Sequence, residues 1–184
     1  LPHDSRSGPE PKYGGFRRLD QAIFQETVSG SYLVGALIGE AIANDPARLA
    51  EAAGDCATDG DAGNDGECMS AFIEKVAPRI LRRPITDDDV DFYTAIAGDE
   101  LETLDYADII NVLMSAPGFL YFIEEGVGDA VDGAIALSPH ELANRLSFHF
   151  WQTGPDDTLW SLAESGDLTD PEVYAAQVER LVAD

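Results

Sequence analysis

The sequence predicts an all-α protein, an irregular multi-helix bundle of about seven to eight helices. Three observations support this fold class. Apolar residues recur at spacings of three and four in several segments, which is the period of an amphipathic helix. Aspartate, serine or threonine stands at the start of many of these segments, followed by proline or by acidic residues, as is typical of helix N-termini. Alternation of apolar and polar residues, the pattern of a strand, is nearly absent.

The N-terminal part begins with residues 1–15, which we expect to form an extended tail. This segment is rich in proline and glycine and poor in apolar side chains. From residue 16 an apolar pattern at helical spacing runs to Asn44. Asp45 is the expected N-cap of a short second helix, with Pro46 at its first position.

The middle of the chain contains a Gly/Asp-rich loop, residues 54–67, followed by three predicted helices. They cover residues 68–81, 86–97 and 101–115. Pro78 is expected to kink or shorten the first of them, because proline cannot donate the helical hydrogen bond. Thr86 and Asp89 resemble a capping box at the start of the second.

The C-terminal part follows a Gly/Asp-rich linker, in which VDGAIAL is either a small strand or an extended crossing. Ser138 and Glu141 form a predicted capping box, and Glu141 is expected to pair with Arg145 across one turn. Two more helices are predicted: a short one capped by Asp156 or Asp157 that runs through Glu164, and a last one that begins at Asp170-Pro171. We therefore expect an extended tail (1–15), an N-terminal helical domain (16–125), a linker (126–137) and the start of a second helical domain that is truncated at its end (138–184).

The charge of the chain excludes some classes of partner. Aspartate and glutamate number 35 against 11 lysines and arginines, which gives a formal net charge of −24. Such a field repels phosphate backbones, so a nucleic acid is not expected as a partner, and anionic membrane surfaces are disfavoured. The run Phe119–Ile123 is far shorter than the roughly 20 residues of a membrane span. Calcium, other hard cations or a basic partner protein are compatible with this charge, and so is a merely solvated acidic surface.

Four segments, in this order, resemble one protein family: CMSAFIEKVAPRILRRPITDDDVDFY, INVLMSAPGFLYFIEEG, SPHELANRLSFHFWQTGPDDTLWSLAESGDL and DPEVYAAQVERLVAD. They are similar to segments of large exported proteins of planctomycetes and myxobacteria that are built from domains of unknown function, some of which carry c-type cytochrome modules. The resemblance covers roughly residues 50–184. It implies an extracytoplasmic location (periplasmic, cell-surface or secreted). It also implies other protein domains or subunits, or a continuation chain, as partners.

The chain departs from this family in three respects. It contains no Cys-x-x-Cys-His motif, so haem would be supplied only by a partner or a missing domain. Phe122 stands where the family pattern has arginine. Family members are also far longer than this chain, so a catalytic or binding centre would lie in sequence beyond Asp184.

The two cysteines, Cys56 and Cys68, flank the Gly/Asp-rich loop. In a chain that resembles exported proteins, this arrangement favours a disulfide that closes the loop. A pair of free thiols is the alternative, since two ligands alone make a poor metal site. By the loop-entropy relation such a closure stabilises the fold by about 3 kcal/mol.

The loop itself is a candidate calcium site. Its oxygen-bearing side chains are interspersed with glycines, which is the composition that calcium loops use. The candidate ligands are Asp59, Asp61, Asn64, Asp65 and Glu67. The spacing is not that of an EF-hand, because Gly63 occupies the third ligand position. A polar, exposed loop without metal is the alternative.

Three side chains are catalytic candidates: His140, His149 and Trp151. The two histidines are nine residues apart on one predicted helix, so they lie on opposite faces and cannot share a metal. The structural alternatives are an exposed or capping His140, a half-buried, hydrogen-bonded His149, and a Trp151 that anchors a helix–turn–helix together with Trp160. The catalytic alternative for tryptophan is a redox-active or modified side chain near the haem of a partner.

Three functions are compatible with this sequence, and whether the chain is an enzyme stays open. The first is a helical structural or interaction module of an exported multi-domain assembly, since the motifs serve as caps, turns and core faces. The second is a fragment or processed chain of an exported redox-linked enzyme whose centre is completed by missing sequence or a haem partner. The third is a calcium-dependent adhesion or filament subunit.

Overall fold

A computed structural model describes residues 25–98 and 101–183, and within them it confirms the all-α class. The predicted tail lies outside the described residues. The described chain contains nine α-helices, two short 3-10 turns (Asp55–Thr58 and Asp167–Thr169) and one hairpin. The helices are α1 (Gln25–Ala43), α2 (Pro46–Ala53), α3 (Asp65–Leu81), α4 (Asp87–Ala97), α5 (Thr103–Ser115), α6 (Pro117–Leu120), α7 (Pro139–Phe150), α8 (Asp157–Ser165) and α9 (Pro171–Ala183).

Helix α1 packs against α5 through two glycines one turn apart, Gly35 and Gly39. A Cβ at Gly39 would lie 2.6 Å from the backbone oxygen of Ala107, and a Cβ at Gly35 would lie 2.8 Å from Oδ1 of Asn111. The two helix backbones therefore approach more closely than any side chain at these positions would permit. The hydroxyl of Ser31 extends the contact by donating to the backbone oxygen of Met114.

The larger core lies among α2 to α5. Its fully buried side chains are Leu49, Met69, Phe72, Ile73, Ile109 and Leu113. The ring of Tyr106 meets that of Phe72 edge to face, with 5.1 Å between the centroids. Helix α3 begins at Asp65, three residues earlier than expected, and continues through Pro78 to Leu81. Asp65 and Glu67 are thus first-turn helical residues, where carboxylates interact favourably with the helix dipole.

The smaller core lies among α7, α8 and α9. Its buried apolar side chains are Ala143, Leu146, Leu159, Ala163, Leu168 and Leu181. Arg79 of α3 connects the two cores, since its Nη2 lies 2.7 Å from Asp157 Oδ1 and its guanidinium 4.6 Å from the ring of Trp160. The expected division into an N-terminal and a second helical domain stays a prediction.

The capping box at Ser138 and Glu141 is confirmed, but the expected Glu141–Arg145 pair is wrong. The Glu141 carboxylate accepts from the backbone N–H groups of Ser138 (2.7 Å), Glu125 (2.6 Å) and Gly126 (3.0 Å). Arg145 instead forms an ion pair with Glu124. Several backbone donors at one carboxylate outweigh an exposed pair on the helix surface, which stabilises a helix only slightly.

The expected linker contains an antiparallel hairpin of β1 (Val127–Val131) and β2 (Ala134–Ala136). Val131 pairs with Ala134, so the turn consists of Asp132 and Gly133, both at positive φ. Asp-Gly is a preferred sequence for such a two-residue turn. None of the helices in the described ranges combines the length and the apolar character that a membrane crossing needs.

Candidate functional site

The outer side of α1 carries exposed apolar side chains, which we call the α1 apolar face: Val28, Tyr32, Leu33, Leu37 and Ile38. Leu33 and Leu37 are 61% and 67% exposed. At 100° per residue they lie on the side of the helix opposite Gly35 and Gly39, which face α5. α1 is therefore apolar on both sides, a pattern typical of a helix that is buried on both sides.

The charges of α1 are all negative. Glu26 and Glu40 are the charged residues between Gln25 and Ala43, and no lysine, arginine or histidine occurs in the helix. The surface around the apolar face thus shares the sign of the whole chain, whose net charge is −24.

A cleft of about 520 Å³ lies where the end of α3, the segment after α6 and the start of α7 meet. Apolar side chains on its wall are Leu81, Tyr121, Phe122 and Ile123. Polar and charged side chains on its wall are Arg82, Arg83, Glu124, Glu125, Ser138, His140, Glu141 and Asn144. Small-molecule sites are concave, and polar groups in them fix the orientation of the ligand; this cleft is more polar than most.

Arg82 ends α3 in the left-handed conformation, with φ 58° and ψ 31°. This conformation is unfavourable for a residue other than glycine, and such strain often marks a functional position. Its Nη2 donates to the backbone oxygens of Gly118 (2.7 Å), Phe119 (3.1 Å) and Tyr121 (2.9 Å). Burial lowers the pKa of the guanidinium, and no carboxylate pairs with it within the described residues.

Asn144 lies one turn after the start of α7 and is 6% exposed. Its Nδ2 donates to the backbone oxygen of Arg82 at 2.6 Å. Because that oxygen only accepts, the bond fixes which way the amide is turned. Its Oδ1 is buried and has no hydrogen-bond partner in the described part of the chain. An unpaired buried acceptor is unfavourable by about 1–3 kcal/mol, so this atom is a candidate ligand contact.

His140 precedes Asn144 by one turn and lies on the same face of α7. The expectation of an exposed or capping His140 is wrong, because Ser138 is the cap and the imidazole is half-buried against Trp160, with 4.9 Å between ring centroids. Its Nε2 is buried without a hydrogen-bond partner among the described residues. Burial lowers the pKa of His140, and the nearby Glu164 carboxylate partly opposes this change.

The structure places His149 and Trp151 away from the cleft lining. His149 is exposed at the end of α7, with its ring edge-to-face on Phe150, so the expectation that it is half-buried is wrong. Trp151 is half-buried against the smaller core, and the Arg180 guanidinium lies 5.3 Å from its ring centre. Trp160 is buried, and its Nε1 donates to Glu164 at 2.7 Å. Catalytic roles for His140, His149 and Trp151 stay predictions.

The Cys56–Cys68 disulfide is confirmed, with the two Cα atoms 6.0 Å apart. Within the loop that it closes, Asp59 accepts from the N–H of Asp61 (2.7 Å) and from Nδ2 of Asn64 (2.9 Å). These bonds lower the pKa of Asp59, the Asn64 side chain being the larger cause. No group of three or more histidine, cysteine, aspartate or glutamate side chains in residues 25–98 and 101–183 is arranged to hold a metal ion. The calcium ligands stay a prediction.

Sequence reasoning missed Arg82 and Asn144. Asn144 stands in a helix whose sequence pattern is dominated by its apolar residues, and Arg82 is followed by a second arginine and a proline, which indicate only a helix end. A usable signal for Asn144 is its position in that helix, one residue after the buried Ala143 and two before the buried Leu146. Phe122 lines the cleft and packs edge to face on Phe148, with 5.4 Å between centroids.

Fold and sites together define an acidic, disulfide-bonded all-α chain with an exposed apolar helix and a polar cleft. Residues 137–184 match the model of one family, PSD4, described as a protein of unknown function (DUF1592). This match supports the expected resemblance to domains of unknown function over the C-terminal helices only. No curated protein matches the chain, and no solved structure matches it.

Proposed function

We propose that the chain is a helical interaction module of an exported multi-domain assembly, and that the α1 apolar face docks a partner helix whose apolar stripe is edged with lysine or arginine. The observation that carries the proposal is the exposure of Leu33 and Leu37 on the side of α1 that faces away from α5. Contiguous exposed apolar side chains mark interaction surfaces in proteins that are otherwise charged outside.

The partner's charge follows from the edges of the face. Glu26 and Glu40 lie near its two ends, and the chain as a whole is strongly acidic. A second copy docked on the same face would bring the same glutamates together, in either helix direction, and like charges at an interface are unfavourable. A basic edge on the partner helix would pair with them and would speed association.

Export is supported by the Cys56–Cys68 disulfide, because disulfides form and persist in oxidising compartments. The absence of a membrane-crossing helix among the described residues is compatible with it. The family match over residues 137–184 is compatible with a part of a larger protein.

The test measures binding of two synthetic amphipathic helices, identical in their apolar stripe but edged by lysine in one and by glutamate in the other. The first is expected to bind the full chain, with an affinity that falls as salt rises, and the second is not. Leu37→Glu is expected to weaken binding about tenfold or more, since it places a charge in the centre of the apolar contact. Val182→Glu is the matched control, because Val182 is 66% exposed on α9.

Three results would contradict the proposal. The two peptides could bind equally well, or Leu37→Glu could leave binding unchanged. Sedimentation could reveal a dimer that Leu37→Glu abolishes, which would assign the face to a second copy. Binding that appears only after residues 1–24 are deleted would assign the face to the chain's own N-terminal segment.

A further inference from the structure

The cleft between α3 and α7 contains a cation without a counter-charge. Each of three other charged groups on its wall is already satisfied: Arg83 by Asp89, Glu124 by Arg145, and Glu141 by backbone N–H groups. Glu125 is exposed to solvent. The Arg82 guanidinium is half-buried, and its Nη2 serves three backbone oxygens, while no bond from its Nε or Nη1 occurs within the described ranges. Arg82 is therefore a cation of this wall with which no carboxylate pairs in the described ranges, while Glu125 and Glu141 keep their negative charges on the same wall.

A hydrogen-bond acceptor lies beside this cation. Asn144 is joined to Arg82 through its Nδ2, so its unpartnered Oδ1 belongs to the same cluster. His140, one turn away on α7, adds a second buried polar atom without a partner, Nε2. Seven buried side-chain polar atoms in the described residues have no partner, and these two are the ones at the cleft. A buried polar atom is normally hydrogen-bonded, so each is a position where a ligand atom could bind.

The rest of the wall sets the character of the remainder of the ligand. Tyr121, Phe122 and Ile123 are exposed apolar side chains on the cleft, and Leu81 closes its inner side. A volume of about 520 Å³ is in the range of small-molecule sites.

From this arrangement we propose that the cleft binds a carboxylate with a hydrogen-bond donor on the adjacent carbon and an apolar side group. An N-acylated apolar amino acid has this chemistry, and so has the free carboxyl end of a peptide. The carboxylate accepts from Arg82, the adjacent N–H donates to Asn144 Oδ1, and the apolar group rests on Phe122 and Ile123. This site is independent of the α1 apolar face, which lies on another part of the larger helical unit.

The experiment uses the full chain and measures chemical-shift changes and calorimetric affinity with four probes. They are N-acetylleucine, its carboxamide, 4-methylpentanoate, and a short peptide ending in leucine with a free carboxyl group. N-acetylleucine is expected to bind at millimolar concentration or tighter and to shift the backbone amides of Ser138, of residues 140–144 and of Arg82 and Arg83. Its carboxamide lacks the anion and 4-methylpentanoate lacks the donor, so each is expected to bind about tenfold more weakly or worse. Relative affinities of N-acetylleucine and the peptide distinguish the two sources of the same chemistry.

Two arginine variants locate the anion. Arg82→Gln is expected to weaken N-acetylleucine about tenfold or more, because a charge-assisted bond is lost. Arg48→Gln removes the same charge from an exposed arginine of α2 outside the cleft lining, and is expected to leave the affinity unchanged. Circular dichroism and thermal unfolding check that both variants fold. If Arg82→Gln does not fold, the shift map and the four-probe comparison on the unaltered chain decide the matter.

Several outcomes would overturn the proposal. Equal affinity for N-acetylleucine and its carboxamide would show that the carboxylate does not bind Arg82. Equal affinity for N-acetylleucine and 4-methylpentanoate would show that the ligand N–H does not donate to Asn144. Equal losses of affinity in the two arginine variants would show that the ligand binds outside the cleft. Chemical-shift changes confined to other surfaces would show the same.

Discussion

The side-chain nitrogen of Asn144 lies 2.6 Å from the backbone oxygen of Arg82, which joins the start of α7 to the end of α3 across 62 residues of sequence. The guanidinium of the same arginine donates to the backbone oxygens of Gly118, Phe119 and Tyr121. Arg82 thus contacts both sides of the cleft: the segment of residues 118–121 through its side chain and α7 through its backbone oxygen. Its Nε and Nη1 make no hydrogen bond within the described ranges. With its backbone in the left-handed conformation, the carbonyl of Arg82 meets α7 and its side chain meets the segment at residues 118–121.

Close packing of α1 against α5 is expected to tolerate no Cβ at Gly39. Gly39→Ala should lower the free energy of unfolding by about 1–3 kcal/mol, because the new methyl group would lie within 3 Å of the backbone of Ala107 and the helices must separate. Urea unfolding measures this change. Gly66→Ala is the matched control, since nothing lies within 4 Å of a Cβ there and alanine favours helix. A loss at Gly66 as large as at Gly39 would contradict the packing explanation.

Removal of the disulfide is expected to destabilise the larger core. The double variant Cys56→Ala, Cys68→Ala should unfold with about 3 kcal/mol less free energy than the oxidised chain, because the closed loop constrains the unfolded state. Urea unfolding with and without a reductant measures it. The reductant should shift the unaltered chain by a similar amount and leave the double variant unchanged. An unaltered chain insensitive to full reduction would contradict the expectation.

The Arg83–Asp89 pair predicts a dependence of stability on acid. Two hydrogen bonds from Arg83, together with the Thr86 capping box, hold the pKa of Asp89 well below its ordinary value of 3.8. A carboxylate whose pKa is lower in the folded state stabilises the fold above the unfolded pKa, and this contribution is lost as pH falls through the folded pKa. Asp89→Asn should therefore destabilise by about 1–2 kcal/mol at neutral pH, and the difference from the unaltered chain should shrink below about pH 4.

Thermal unfolding between neutral pH and pH 2 measures this difference. Asp91→Asn, at an exposed position on the same helix, is the matched control and should have little effect at any pH. A difference for Asp89→Asn that stays constant down to pH 2 would exclude the linkage.

The Glu141 carboxylate is expected to stabilise the junction between the hairpin and α7. Glu141→Gln should lower the free energy of unfolding by about 1–2 kcal/mol, because an amide replaces a charged acceptor of three backbone bonds. Glu172→Gln, in the first turn of α9, is the control with the same change in charge. Hydrogen exchange of the amides of Glu125 and Gly126 should quicken only in the first variant. Unchanged exchange there would show that these bonds do not protect the junction.

Features set by residues close in sequence could be predicted. The capping boxes at Thr86 and Ser138 need only four consecutive residues each, and both are present as expected. The disulfide also spans a short, flexible segment, and its pairing is confirmed. The start of α3 within the Gly/Asp-rich loop is harder to predict, because Asp65 and Gly66 have low helix propensity. They are nevertheless the first two residues of the helix.

Features set by distant residues could not be predicted. The contact of Gly39 with Ala107 and the bond between Asn144 and Arg82 depend on how the helices are arranged in space, which periodicity does not determine. The expected Glu141–Arg145 pair followed a sound local rule, but backbone donors of the preceding segment compete for the same carboxylate. The unpaired charge of Arg82 is visible only once its neighbours are known.

The family match begins at Leu137, directly after the hairpin, but the protein does not divide physically at that residue. A fragment cut there would leave the Asn144 amide without its acceptor, uncover the face of Trp160 that Arg79 shields, and deprive Glu141 of two of its three donors. Such a piece is expected to be less stable and more prone to aggregate than the same residues within the whole chain. An expressed fragment that includes the C-terminal helices should therefore begin before α3 rather than at Leu137.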